Sequence, residues 1–214
     1  MAVWNKVLNA STSHNRQLVN CKASRMPGLQ FKIELVGSDP LIWRRIVVPY
    51  HLTFYKFHLA IQGAFGWENV HLYQFSQNGF LDKLCYAELQ DEMDSTADLV
   101  TKDAKRSKIS TVFAQTNSFM YIYDFGDSWE HLIQFEGIVE EDIERPCCIE
   151  GAGNCPPEDC GGIRAYYHMI EVLNKPGHDE RQEFAEWLDL ATGENFDPDK
   201  FNVRETNKRL CLLE

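Results

Sequence analysis

The chain has 214 residues, enough for one generous domain, and 44% hydrophobic with 12% aromatic residues supplies a core of that size. A formal charge of −11 argues against a body that grips phosphate backbones, because counterion release onto a basic footprint drives that binding. No apolar run approaches the roughly 20 residues that span a bilayer, so the composition excludes a membrane-spanning protein.

The first 27 residues are broken by Asn5, Asn9, Ser11, Thr12, Ser13 and Asn15, which is not the pattern of a secretory signal. A cytoplasmic protein is the expectation. Lys6, Arg16, Lys22 and Arg25 have no acidic neighbour before Glu34, and residues 1–27 are expected to form a flexible arm ahead of a single domain over 28–214. Residues 29–36 alternate apolar and polar and predict a strand; 37–40 turn the chain, and 41–48 return as a second strand closed by Pro49. Thr53 is placed to cap a helix carrying Phe54, Phe57, Ile61 and Phe65, which Gly66 ends. Residues 70–76 alternate again, with His71, Tyr73 and Phe75 on one face. This order predicts a β-grasp-like ββαβ opening.

Seven acids between Asp82 and Asp103 predict a solvated loop over 82–106, with a short helix around 108–114. A hairpin over 118–124 and 129–136 surrounds Phe125-Gly126-Asp127, and a loop rich in glycine and cysteine spans 145–162. Three helical stretches follow, anchored by Tyr166 and Met169, by Phe184 and Trp187, and by Val203 and Leu210. The fold class predicted is α+β: a mixed, mostly antiparallel sheet with C-terminal helices.

Three groups of residues carry candidate chemistry. Asp124, Asp127 and His131 sit at one hairpin end, where two carboxylates and an imidazole can bind a divalent cation or transfer protons; turn-forming acids and a satisfied histidine on a buried face are the commoner explanation of such a pattern. Glu158 and Asp159 lie between two prolines and two glycines, in a loop stiff enough to aim a carboxylate. With Asp124, Asp127, His71 and His131 they can form one acidic pocket, or one of them can cap the helix starting near Ile163. The seven cysteines are odd in number, which points to free thiols or a metal over a disulfide framework. Cys148, Cys155 and Cys160 with His178 are a candidate zinc set, although no CxxC knuckle is present and small buried cysteines are the alternative. Asp124-Phe125-Gly126 copies a kinase triplet without the glycine-rich loop or catalytic loop that kinase chemistry needs. Gly126-Asp127-Ser128 copies an esterase triplet without a base near the C-terminus. His58 borders a buried helix face and reads as a core histidine.

Trp43-Arg44-Arg45-Ile46 with Val48-Pro49, then His58, Ala60-Ile61-Gln62, Phe65-Gly66-Trp67 and His71-Leu72, form the first of three blocks. Tyr123-Asp124-Phe125-Gly126-Asp127 with Trp129 and His131 form the second. Cys155-Pro156-Pro157-Glu158-Asp159-Cys160-Gly161-Gly162, followed by Phe196-Asp197-Pro198, form the third. Together they resemble the Ri-plasmid open-reading-frame-three-like family over residues 29–210, whose members are often labelled transposon-passenger resolvase-like proteins. One departure is the segment His178-Asp179-Glu180-Arg181, where the family often has a second histidine. The resemblance implies a function tied to plasmids or mobile elements. Resolvase chemistry does not fit, since no arginine-rich cluster surrounds a serine and the body is acidic. Two readings remain. One is a non-enzymatic accessory module that binds a protein partner, with no nucleic acid on its body and no membrane. The other is a small metal-assisted hydrolase built on Asp124, Asp127, His131, Glu158 and Asp159.

Overall fold

The computed structural model describes residues 26–89, 100–191 and 194–213. Most of the arm expected at 1–27 lies outside the described residues. Eight strands form one sheet in the order β5-β4-β3-β6-β7-β1-β2-β8. They are β1 (Gly28–Leu35), β2 (Trp43–Pro49), β3 (Tyr73–Ser76), β4 (Leu84–Ala87), β5 (Val100–Asp103), β6 (Ser118–Tyr123), β7 (Trp129–Val139) and β8 (Cys147–Ala152). All neighbours pair antiparallel except β4 with β5, so the sheet is mixed and mostly antiparallel as the sequence predicts.

Helix α1 (Phe54–Phe65) covers the inner face of the sheet. Thr53 accepts a hydrogen bond from the Lys56 amide at its start, and Gly66 ends it at φ 107°, a left-handed conformation open to glycine without a Cβ penalty. Phe54, Phe57, Ile61 and Phe65 are buried, and Phe57 meets Phe31 of β1 at 4.9 Å and Phe75 of β3 at 5.8 Å. Two arginines close the C-terminal end of α1. Arg44 Nε donates to Ala64 O and Arg209 Nε to Gly63 O, so the orphan carbonyls of the last turn are satisfied by cations. Arg44 is 2% exposed, and its other donors reach Trp43 O, Ala152 O and Gly153 O. The guanidinium is therefore held structurally by carbonyls, while Arg45 on the opposite face pairs with Glu136 and Glu150.

Four further helices follow: α2 (Ile109–Phe113), then α3 (Gly162–Leu173), α4 (Arg181–Trp187) and α5 (Val203–Leu210). Three expectations are corrected. The acidic stretch expected as a loop over 82–106 contains β4 and β5, because Cys85, Tyr86 and Ala87 bury against the sheet edge; residues 90–99 of that stretch lie outside the described ones. The loop expected over 145–162 begins with β8, whose residues Cys147 to Ala152 continue the sheet beyond β2. The strand expected over 70–76 starts only at Tyr73, which leaves His71 in the loop after α1.

Candidate functional site

Three loops meet at the end of the sheet where β3 begins and β6 ends. The first, 66–72, is fixed by side chains from elsewhere. Trp67 Nε1 donates to Pro156 O at 3.0 Å, the Glu68 amide to Glu158 Oε1 at 2.7 Å, the Asn69 amide to Gln62 Oε1 at 3.0 Å and the Val70 amide to Tyr123 Oη at 3.1 Å. The second is the β6–β7 turn. The Asp124 amide donates to Leu72 O, its Oδ1 accepts from the Gly126 amide at 2.9 Å, and its carbonyl accepts from Ser128. The third, 153–161, is tied to the turn by the Gly161 amide, which donates to Asp127 Oδ2 at 2.9 Å. Gly162 has φ 79°, and a Cβ there would lie 2.7 Å from Asp127 O, so only glycine permits this approach.

Asn69, Asp124, Ser128 and Asp159 all take positive φ near 55°, and among the described residues just one other non-glycine residue, Asp189, does so. Such conformations cost roughly 1 kcal/mol or more for L-residues, and their concentration in these loops marks a site that the surrounding bonds over-determine.

The side chains this arrangement brings together are His71, Asp124, Glu158 and Asp159. His71 Nε2 lies 3.0 Å from Asp159 Oδ1, 3.7 Å from Asp124 Oδ2 and 3.9 Å from Glu158 Oε2. Nevertheless Nε2 is sealed from solvent and makes no hydrogen bond, the Asp159 contact being close but misaligned; Glu158 Oε2 is equally sealed and unpartnered. Glu158 Oε1, by contrast, is fully engaged by the Glu68 amide and by Tyr123 Oη, which donates at 3.0 Å. That bond aims the second oxygen at the imidazole. Burial and the adjoining Glu158 carboxylate push the Tyr123 hydroxyl well above its ordinary range, so it stays a donor at neutral pH. Among the described residues the three acids share His71 as their one ion-pair partner.

Ligand atoms of His71, Asp124 and Asp159 lie within 4.8 Å of one another. Donors about 2.1 Å from a common cation stand about 3 to 4 Å apart, and His71 Nε2 stands 3.0 and 3.7 Å from its two carboxylates, so these residues could hold a divalent ion. Glu158 Oε2 stands next to this triad as a free acceptor.

Two members of the expected acidic pocket do not join it. Asp127 uses Oδ2 to hold the Gly161 amide. His131 is fully buried among Phe65, Trp67 and Tyr121, with Nδ1 donating to Trp129 O at 3.0 Å. Neither Glu158 nor Asp159 caps α3, which starts after Gly161 without a side-chain cap. The expected zinc set is not assembled either: among the described residues Cys148, Cys155, Cys160 and His178 do not come within 4.8 Å as a group. Cys148 sits in β8 with its thiol directed to Glu150 O, and burial pushes that thiol up to about 11. Cys155 lies beside Arg44, and burial together with Asp127 pushes Cys160 up to about 12. His178 follows α3 and folds back along it, its ring 6.5 Å from that of His168 in the middle of the helix. His71 belongs to the pocket the sequence allows but not to its metal set; the signal that could have found it is its place in the first of the three blocks, beside a strand that starts later than alternation implies.

The plasmid pRiA4b ORF-3-like family matches residues 27–205, which include every residue of this site. The chain belongs to that family. A relative named uncharacterized protein y4hQ, from Sinorhizobium fredii, is 34% identical over 185 residues, covering 84% of this chain and 89% of the relative. The crystal structure of MM3350 from Methanosarcina mazei, described as a protein of unknown function, superposes with a TM-score of 0.71 at 33% identity. That match covers 85% of this chain and 98% of the other. The family is uncharacterised, and its name ties it to plasmids. Among the described residues no helix is long and apolar enough to cross a membrane.

Proposed function

We propose that the protein is a small metal-assisted hydrolase whose centre is a divalent transition-metal cation held by His71, Asp124 and Asp159. The observation that carries this is the convergence of a buried, unpartnered imidazole nitrogen with two carboxylate oxygens. An imidazole among oxygen donors favours a transition metal such as manganese or zinc over magnesium or calcium. The Asp159 side chain is 70% exposed, so the cation keeps open positions for water, whose ionisation it promotes. Glu158 Oε2 is free to take the proton that water releases.

Calorimetry on the chelator-treated full chain tests this. One Mn²⁺ or Zn²⁺ is expected per chain, with saturating metal at 100 times Kd adding about 2.7 kcal/mol of stability. Asp159→Asn is expected to weaken the cation at least about tenfold while raising the melting temperature of the metal-free protein, because it relieves crowding of three carboxylates around one imidazole. Absence of saturable binding, or His71→Ala binding as the wild type does, overturns the reading.

A second reading, an accessory module of plasmids or mobile elements that docks a protein partner, is favoured by one surface feature. Phe80 and Phe125 pair edge to face at 5.3 Å while 45% and 43% exposed, and neighbouring Leu81 is 95% exposed. A cytoplasmic setting accords with either reading, the six described cysteines being free thiols.

A further inference from the structure

A cavity of about 460 Å³ opens beside His71 and shares that residue with the cation site. Three of its walls are apolar side chains that the fold leaves uncovered: Val70 is 61% exposed, Leu72 50% and Leu89 55%. Tyr73 also lines it. That residue is 5% exposed, stacks on His58 at 3.6 Å and has a hydroxyl that is sealed from solvent without a hydrogen-bond partner. A buried hydroxyl in that state is unfavourable unless a ligand atom meets it.

The charges around the cavity select against anions. Glu88 is in its wall, and Asp124, Glu158 and Asp159 gather at His71. Lys105 is engaged by Glu88. Three carboxylates against one dication leave the loaded centre net negative, and among the described residues no arginine or lysine lines the cavity to take up phosphate charge.

Resting on the metal reading above, we propose that this cavity receives the apolar substituent of an uncharged acyl compound, an ester or amide, whose carbonyl oxygen meets the cation at His71. Water oxygen then bonds to the carbonyl carbon and the C–O or C–N bond breaks. The leaving alcohol or amine takes one proton of the water, and the other passes through Glu158 to solvent as the carboxylate product forms. Tyr73 supplies a donor to a polar atom of the bound acyl compound.

Hydroxamic acids test the binding half without relying on turnover, since they are acyl compounds that are uncharged in neutral solution and ligate a metal through the carbonyl oxygen and the N–O oxygen on losing the N–OH proton. With the Mn²⁺-loaded full chain, hexanohydroxamate is expected to bind about tenfold or more tightly than acetohydroxamate, because the longer tail buries apolar surface. Leu72→Asp, at a half-exposed position that tolerates substitution, should erase that difference, and Tyr73→Phe should weaken both hydroxamates. Phenyl phosphate should not displace either. Equal affinity for the two hydroxamates, or tighter binding of phenyl phosphate, overturns the inference while leaving the metal centre standing. A chain that takes up no Mn²⁺ overturns the metal reading, and this inference with it.

Discussion

His131 and His58 show how one residue type serves two ends in this protein. Both are fully buried, and burial pushes His131 down to about 3 and His58 down to about 4 from an ordinary 6.5, against the opposing pull of their hydrogen bonds. His58 Nε2 donates to Asn69 Oδ1 at 2.5 Å and Nδ1 accepts from Tyr121 Oη at 2.8 Å, which ties α1 to the loop that carries His71. The folded chain keeps both rings neutral, whereas the unfolded chain protonates them below about pH 6.5. Stability is therefore unaffected by these groups above that pH. It declines as pH falls from about 6.5 to about 4 for His58 and on to about 3 for His131, by a few kcal/mol for each buried ring. His131→Phe keeps the aromatic packing with Phe65, Trp67 and Tyr121 and removes the titration. Urea unfolding between pH 7 and 4 is expected to show a shallower loss of stability for this variant than for the wild type. Parallel curves would mean that His131 is not protonated on unfolding in this range. His71 differs from both because its Nε2 faces three carboxylates, at 3.0 to 3.9 Å.

At the scale of elements, the last strand illustrates how the fold closes an edge. β8 ends the sheet, and the Asn207 side chain of α5 acts in place of a further strand. Its Oδ1 accepts from the Cys148 amide at 2.7 Å and its Nδ2 donates to Cys148 O at 2.8 Å. An exposed strand edge invites pairing with another chain, so this amide both satisfies and blocks it. Asn207→Ala is expected to cost about 1–3 kcal/mol by leaving two backbone groups unsatisfied and to promote self-association detectable by sedimentation. A variant as stable and as monodisperse as the wild type would show that the bond pair is not needed. The same strand shows why part of the fold escaped the sequence. Cys147 to Ala152 lack the alternation that revealed β1, β6 and β7, because α5 and the neighbouring strand supply the pairing. β4 and β5 were hidden by the acids around them for the same reason: four-residue strands owe their place to tertiary partners more than to local pattern. Helix α3 was legible because Tyr166, Met169 and Leu173 recur at helical spacing and do bury.

Across the whole molecule, the site is the product of three loops held at one end of the sheet by cross-links distant in sequence, such as the Glu68 amide to Glu158 and the Gly161 amide to Asp127. No local pattern announces such a meeting. The stiff loop at 153–161 and the turn at 124–128 could be recognised as places where carboxylates are aimed, and Asp124, Glu158 and Asp159 do converge. Which acids would instead be spent on the turn could not be read, since Asp127 and Asp124 differ only in which amide each one meets. Cys148, Cys155 and Cys160 are close along the chain but fall in a strand, a loop and the approach to a helix, and among the described residues they form no group of three ligand atoms within 4.8 Å. The account rests on a cation at His71. Anomalous diffraction from crystals of the full chain soaked in Mn²⁺ tests it most directly: one strong peak is expected within about 2.2 Å of His71 Nε2, Asp124 Oδ2 and Asp159 Oδ1. A peak only at the His168, His178 and Glu180 group, or no peak at all, would contradict it.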